Sequence, residues 1–94
     1  MIEWRHVEGK EKGDIKLYAL STCVWCKKTK KLLEELGVAY NCLDIDLLED
    51  KEGDRVEEEE IKKWNPQGTY PTLVINNEKA IINFQEDEIR KALG

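Results

Sequence analysis

The sequence predicts one α/β domain in which strands and helices follow each other in the order βαβαββα. Its 94 residues suffice for a single domain with a modest core. Two runs of β-forming residues enclose a segment with helical periodicity and short joints, which is typical of a βαβ unit with parallel strands. Two further runs near the carboxyl end are separated only by a tight turn, which indicates an antiparallel hairpin.

The βαβ unit is predicted to consist of a strand over residues 15–20, a helix over residues 24–36 and a strand over residues 38–45. The first strand is mostly apolar, as expected for a buried strand. Gly37 follows the last apolar residue of the helix, where a left-handed glycine commonly ends a helix. The periodicity assigns Cys26, Thr29, Leu33 and Leu36 to the buried face, and Lys27, Lys28, Lys30 and Lys31 to the solvated face.

An acidic stretch separates the βαβ unit from the second predicted helix. Residues 47–53 are expected to form an irregular connection, and Asp54 with Glu57 has the spacing of a capping box that starts a helix. The helix should end before Pro66, because the residue preceding a proline disfavours helical backbone angles. The glutamates at positions 57–60 are interpreted as its solvated face.

The last third of the chain is predicted to contain strands over residues 72–75 and 80–82 and a helix over residues 86–93. Asn76 and Asn77 lie between the two strands, and asparagine tolerates the positive φ angles of tight turns. The first turn of the final helix is acidic and its last turn is basic, which suits the helix dipole.

Residues 1–14 precede this pattern and are predicted to form an N-terminal extension, with the domain proper covering residues 15–94. Ile2, Trp4 and Val7 alternate weakly with polar residues. The extension is therefore expected either to add a short extra strand or to cover an edge of the core.

Composition narrows the possible partners. The net charge is −5, with 37% charged and 40% apolar residues. This charge argues against a nucleic-acid partner, because binding to nucleic acid usually needs a basic face. No stretch approaches the ~20 apolar residues of a membrane span, and the first residues carry no apolar signal core. We therefore expect a cytoplasmic monomer with neither a nucleic-acid nor a membrane partner. The odd number of cysteines, three, favours catalytic or metal-binding use of the close pair over a disulfide scaffold.

That close pair, Cys23 and Cys26, stands where the first strand passes into the first helix. Residues three apart lie on one helix face, so their sulfur atoms can form a bond. Ser21 or Thr22 is expected to cap the helix, and Cys23 is expected beside its first turn, where free N–H groups and the dipole stabilise a thiolate. Cys23 is thus predicted to be the exposed nucleophile, and Cys26 the shielded resolving thiol.

A second motif, Thr69-Tyr70-Pro71-Thr72, stands directly before the third strand of the domain. A proline at this place can simply mark the start of a strand. A cis bond before Pro71 would, however, leave the backbone N–H and C=O of Tyr70 free to pair with an extended peptide or with glutathione. Together with the dithiol, the motif favours a substrate-binding loop formed by Thr69, Tyr70 and Pro71.

These motifs resemble those of the glutaredoxins, a family of the thioredoxin superfamily. The resemblance covers residues 15–94 and includes the stretch 83–89 that leads into the last helix. It implies a thioredoxin fold with a four-stranded mixed sheet flanked by three helices, and a cis-Pro71 beside the dithiol. It also implies that Cys23 attacks and Cys26 resolves a disulfide of a protein or a small thiol, without a cofactor. A reductase or a low-molecular-weight thiol would then supply the electrons.

The sequence departs from the common glutaredoxin pattern at several glutathione contacts. Val24-Trp25 replaces the usual Pro-Tyr, and Trp25 is interpreted as an aromatic wall for the substrate rather than a core residue. Leu20 stands where many glutathione-using members carry lysine, and Ile82-Asn83 stands where they carry Gly-Gly. The stretch 83–89 is more similar to small glutaredoxin-like redoxins that a thioredoxin-type reductase reduces. Both electron donors therefore remain open, and glutathione is the less favoured.

Two other classes of function remain open. Cys23, Cys26, Cys42 and His6 supply the number of ligands that a zinc site needs, and Cys23 could instead hold an iron–sulfur cluster between two chains. The chain could also be a non-catalytic interaction domain with the same fold. Cys42 itself is interpreted as a small buried hydrophobic residue.

Overall fold

A computed structural model describes residues 4–94, which form a mixed sheet with helices packed on both of its faces. The strands are β1 (Arg5–Val7), β2 (Ile15–Ala19), β3 (Tyr40–Asp44), β4 (Thr72–Ile75) and β5 (Lys79–Ile82). The helices are α1 (Val24–Leu36), α2 (Asp50–Val56), α3 (Lys62–Trp64) and α4 (Glu86–Leu93).

The five strands lie in the order β1-β3-β2-β4-β5. Strands β2 and β3 are parallel, while the other neighbouring pairs are antiparallel. The βαβ unit, the hairpin and the predicted α/β class are thereby confirmed. The extra N-terminal strand also forms, because Arg5, His6 and Val7 pair with β3 and extend the sheet at one edge. Ile2 lies outside the described residues.

Side chains that alternate along the strands build two cores. Leu17 and Ala19 point into the first core, which lies between the sheet and helices α1 and α4. Tyr18, between them in β2, points into the second core on the opposite face, which includes Val56 and Ile61 of the second helical region. Successive side chains of β2 point to opposite faces of the sheet, and both faces are covered by a core. The central strand therefore needs apolar residues at almost every position.

The second helical region begins earlier than predicted. Helix α2 starts at Asp50, inside the stretch expected to be irregular, and Asp54 is an interior residue rather than the cap. Gly53 is buried in α2, and a Cβ atom there would lie 3.4 Å from the carbonyl oxygen of Ile45. Gly53 therefore packs closely against the preceding 3-10 turn (Ile45–Leu47). Local cap signals in the sequence do not reveal such a contact.

The glutamate run is only partly solvated, contrary to expectation. It forms a π-helical turn (Glu57–Ile61) between α2 and α3, so that residues 50–64 are continuously helical. Glu60 accepts a hydrogen bond of 2.8 Å from the hydroxyl of Tyr18 in the second core. Glu58 and Glu59 lie on the exposed side, where Glu58 pairs with Lys62 at 2.6 Å.

The predicted end of α1, the hairpin turn and the start of α4 are confirmed. Gly37 ends α1 with a left-handed φ of 69°. Asn76 and Asn77 turn the β4–β5 hairpin with φ angles of 53° and 54°. Helix α4 begins at Glu86, as predicted.

Candidate active site

The loop between β2 and α1 carries Cys23 to the start of the helix. The backbone N–H of Cys23 donates to the carbonyl of Leu20 at 3.2 Å. Ser21 does not cap the helix. It donates its backbone N–H, at 2.8 Å, and its hydroxyl to the carboxylate of Asp46, which follows β3. The Ser21 hydroxyl holds the pKa of Asp46 below its usual range. Asp46 thus tethers the loop that precedes the dithiol.

Cys23 is itself the N-cap of α1. Its backbone is extended (φ −80°, ψ 121°), and its sulfur accepts a hydrogen bond of 3.2 Å from the backbone N–H of Cys26. The side chain is partly exposed. A sulfur in this position faces the free N–H groups and the positive end of the helix dipole, both of which favour a thiolate.

Cys26 differs from Cys23 in its environment. Its exposed fraction is 0%, and it packs in the first core with Leu33 and Ala19. Burial raises the pKa of the Cys26 thiol from 9.0 to about 12, with a further contribution from its hydrogen bond with Cys23. A solvent-facing sulfur and a buried, protonated sulfur therefore stand side by side.

The Thr69–Thr72 motif packs beside the dithiol. The Tyr70–Pro71 peptide bond is cis, as the resemblance implied. Within residues 4–94, neither the N–H nor the C=O of Tyr70 takes part in a backbone hydrogen bond. Cys26 contributes to the raised pKa of Tyr70, and Trp25 of the CxxC motif lines a cleft together with Tyr70, so this loop and the dithiol are close together in space.

A buried asparagine holds the motif in place. Asn65, 1% exposed, donates its side-chain amide to the backbone oxygen of Thr69 at 3.1 Å and to the Thr69 hydroxyl at 2.8 Å. The Thr72 hydroxyl donates to the same backbone oxygen at 2.8 Å. The sequence indicated Asn65 only as a helix end, and its role in the loop depends on contacts that form in the folded chain.

An open cleft of about 270 Å³ lies between the CxxC motif and this loop, lined by Trp25, Tyr70, Asn83 and Phe84. Trp25 is 53% exposed and stacks on Phe84 with ring centroids 5.9 Å apart, so it is not a core residue. Asn83 has a φ of 66° and accepts a 3.2 Å hydrogen bond from the Thr69 hydroxyl. Sequence reasoning missed Phe84 as a lining residue, because its neighbour in the stack lies far away in the chain.

The Tyr70 side chain links the two cores. It packs against both of them, and among the described residues its buried hydroxyl finds no hydrogen-bond partner. Burial raises the pKa of Tyr70 to about 12, with smaller contributions from Glu57 and Cys26. The phenol is therefore neutral at physiological pH.

Lys30 was predicted to lie on the solvated face of α1, but its side chain is nearly buried. Its side chain is 16% exposed, and its ammonium group lies 3.0 Å from a carboxylate oxygen of Asp44. Asp44, the last residue of β3, is 13% exposed in its side chain. Lys27, Lys28 and Lys31 are exposed as expected.

The four residues considered for a zinc site do not come together. Among residues 4–94, no group of three or more His, Cys, Asp or Glu side chains is arranged to hold a metal ion. His6 is exposed on β1 and hydrogen-bonds Asn41, whereas Cys42 is buried in the first core, as expected for a small hydrophobic residue.

No described helix has the length and apolar character needed to cross a membrane.

Comparison with known proteins places this site in a family. The family model described as Glutaredoxin matches residues 15–80. A glutaredoxin structure from Methanosarcina mazei Go1 superposes with a TM-score of 0.88 at 50% sequence identity, covering 97% of this chain and 87% of its own. Methanoredoxin from Methanosarcina acetivorans gives a TM-score of 0.86 at 49% identity, covering 92% of this chain and 90% of its own.

A relative found by sequence comparison agrees with these structures. The uncharacterized glutaredoxin-like 8.6 kDa protein in the rubredoxin operon of Clostridium pasteurianum is 32% identical over 79 residues, which are 84% of this chain and 96% of the relative. The thioredoxin-like fold is shared with the structural neighbours. The chain therefore belongs to the glutaredoxin family, and its function is of the thiol–disulfide oxidoreductase kind.

Proposed function

We propose that the protein is a dithiol enzyme that reduces disulfides of proteins or small thiols, with Cys23 as nucleophile and Cys26 as resolving thiol. The observation that carries this proposal is the contrast between the two sulfurs. Cys23 is partly exposed and accepts the Cys26 N–H at 3.2 Å, whereas Cys26 is fully buried. The exposed sulfur is suited to attack a substrate, and the buried one is reached only by the sulfur three residues away.

The cleft beside Cys23 is suited to hold the substrate. Its aromatic wall, Trp25 stacked on Phe84, offers an apolar surface, and Lys28 lies 4.6 Å from the centre of the Trp25 ring. Tyr70 also lines the cleft, and its free backbone groups can pair with an extended backbone, as a strand would. A peptide or peptide-like thiol can therefore present its disulfide to Cys23.

The reductant in this proposal is a thioredoxin-type reductase rather than glutathione. Leu20 packs against the second core and offers no charge for a carboxylate. Asn83 takes the left-handed backbone that a glycine would take, but its side chain also lines the cleft and bonds Thr69. Both features support a cleft with fewer glutathione contacts. Action as a cytoplasmic monomer is part of the same proposal.

A trapping experiment tests the roles of the two cysteines. Cys26→Ser protein is mixed with a chromogenic aromatic disulfide, and the adduct is located by peptide mass spectrometry. A stable adduct on Cys23 is expected, because the resolving thiol is absent. Cys42→Ser is the matched control, and it should turn over like the wild type because Cys42 is buried in the sheet.

Two outcomes would contradict the proposal. An adduct on Cys26 of the Cys23→Ser protein, formed as fast as on Cys23, would reverse the assigned roles. Absence of any exchange by the wild type would favour a non-catalytic domain. The donor is identified by offering the oxidised protein glutathione, and separately a thioredoxin reductase with its nicotinamide cofactor. Faster reduction by glutathione would refute the proposed reductant.

A further inference from the structure

A nearly buried ion pair lies close to Cys26 and is not among the residues that carry the proposed attack and resolution. The Lys30 ammonium and the Asp44 carboxylate are 3.0 Å apart, with side-chain exposures of 16% and 13%. Burying two charges is costly, and such pairs are weak sources of stability. A lysine on a helix whose other lysines are exposed therefore calls for an explanation beyond folding.

The register of the fold places this pair next to Cys26. Lys30 follows Cys26 by four residues in α1, so both side chains lie on the same helix face. Asp44 pairs in register with Ala19, the last residue of β2, and the loop that begins there carries Cys23. The ion pair thus joins the carboxyl end of β3 to the middle of α1, about one helical turn after Cys26.

The groups that act on the Cys26 thiol come from three elements. They are Cys23 at the N-cap of α1, Lys30 within α1 and the backbone of Leu20 before α1. Tyr70, on the loop before β4, is close enough for Cys26 to raise the pKa of its phenol. Tyr70 is neutral, and Lys30 is the cation of this set, acting in favour of the thiolate of Cys26. The closest charged partner of Lys30 itself is Asp44.

The resolution step needs this kind of help. In the mixed disulfide, Cys26 must lose its proton before its sulfur attacks the sulfur of Cys23. The Cys23–Cys26 bond then forms and the bond from Cys23 to the substrate sulfur breaks. The bonding electron pair leaves on the substrate sulfur, which takes up a proton, so that one thiol is consumed and one is released. A negative charge therefore develops transiently on a fully buried atom.

We infer that Lys30, held in place by Asp44, is a positioning residue that stabilises the transient thiolate of Cys26 during resolution of the mixed disulfide. The inference rests on the proposed dithiol function. Asp44 holds the ammonium group at 3.0 Å in a nearly buried place, and Lys30 lies on the helix face that carries Cys26.

The expected effect follows from thiol chemistry. Each unit by which loss of the ammonium raises the pKa of Cys26 lowers its thiolate fraction about tenfold. The more basic thiolate is also a better nucleophile, with a Brønsted coefficient of about 0.4–0.5, so the net loss is about three- to fourfold per unit.

The test compares three substitutions at Lys30 with one at Lys31, an exposed neighbour on the same helix. Lys30→Met removes the charge, Lys30→Gln removes it but retains a donor for Asp44, and Lys30→Arg retains it. Lys31→Met changes the net charge equally. The mixed disulfide is formed on Cys23 in each protein, and release of the chromogenic thiol is followed in a single turnover by stopped flow. Alkylation of Cys23 is measured separately as the attack step.

Resolution should slow in Lys30→Met and Lys30→Gln, by about three- to fourfold for each unit by which the pKa of Cys26 rises. It should stay at the wild-type rate in Lys30→Arg and Lys31→Met, with alkylation of Cys23 unchanged in all four. A structural ion pair would also be retained by Arg and lost in Gln, but its loss would disturb the attack step as well. Slower resolution with unchanged alkylation of Cys23 is therefore the result that separates stabilisation of the thiolate from a structural role. Wild-type resolution rates in both neutral variants would overturn the inference, and Lys30→Gln decides if Lys30→Met does not fold. Failure of the wild type to form or resolve the adduct would instead overturn the proposed function.

Discussion

Burial of Cys26 predicts that the reduced protein loses stability at alkaline pH, and that Cys26→Ala abolishes a defined part of this loss. The thiol ionises near 9.0 when unfolded and its pKa is raised to about 12 in the folded chain. Below about pH 9, both states keep the proton and the contribution is constant. Above that pH, only the unfolded state releases its proton, so the free energy of unfolding falls as pH rises.

The size of the loss can be calculated from these two values. Between about pH 8 and about pH 10, ionisation of the unfolded thiol lowers the free energy of unfolding by about 1.4 kcal/mol. The result depends mainly on the unfolded value, because the folded thiol remains protonated at about pH 10 even if its pKa were a unit lower.

Urea denaturation of fully reduced wild type and Cys26→Ala at both pH values measures this term. The destabilisation caused by Cys26→Ala should be about 1.4 kcal/mol smaller at the higher pH, since the variant has no thiol to ionise. Leu33→Ala is the matched control. It alters another fully buried residue of α1 that cannot ionise, so its cost of about 2–5 kcal/mol should be the same at both pH values. Equal pH dependence of wild type and Cys26→Ala would refute the reasoning.

Two further predictions concern the cleft and its loop. Trp25→Ala removes an exposed aromatic side chain from the cleft, and its contact with an aromatic disulfide substrate is expected to contribute about 0.5–1.5 kcal/mol, so kcat/KM should fall about two- to twelvefold in a steady-state assay. Val24→Ala, at an equally exposed neighbour outside the stack, should have little effect, and equal losses in the two variants would contradict this role. Asn65→Ala removes the amide that holds Thr69 and should lower the free energy of unfolding by about 1–3 kcal/mol in urea denaturation. A Gln67→Ala control should remain near wild type, and an Asn65→Ala protein as stable as that control would show that the loop does not depend on the amide.

Where the sequence predicted structure well, the signals were local. Gly37 at the end of α1 and the two asparagines of the β4–β5 turn act through their own backbone angles, so their positions in the chain are sufficient. The N-cap of α2 was predicted five residues too late, at Asp54 instead of Glu49. The spacing of Asp54 and Glu57 resembled a helix cap, but both residues lie inside the helical region. The helix begins earlier, where Gly53 packs against Ile45.

In the candidate site, too, local features were predictable from the sequence and contacts between distant residues were not. Cys23 and Cys26 are recognisable from their spacing at a strand–helix junction, and the difference in their exposure follows from helical periodicity. The prediction that Ser21 caps α1 was wrong. Its hydroxyl donates to the carboxylate of Asp46, which is distant in the chain, and does not bond the start of the helix. No local signal distinguishes such a tether from a helix cap.

The sequence by itself determined the order of the elements, the hairpin and the dithiol at the start of α1. These depend on periodicity and on backbone preferences of single residues, which act over a few positions. Only the tertiary structure decided that Trp25 stacks on Phe84 and that Lys30 leaves the solvated face to pair with Asp44. Each of these contacts joins side chains from different elements, and the parallel packing of β2 and β3 under α1 decides which of them meet.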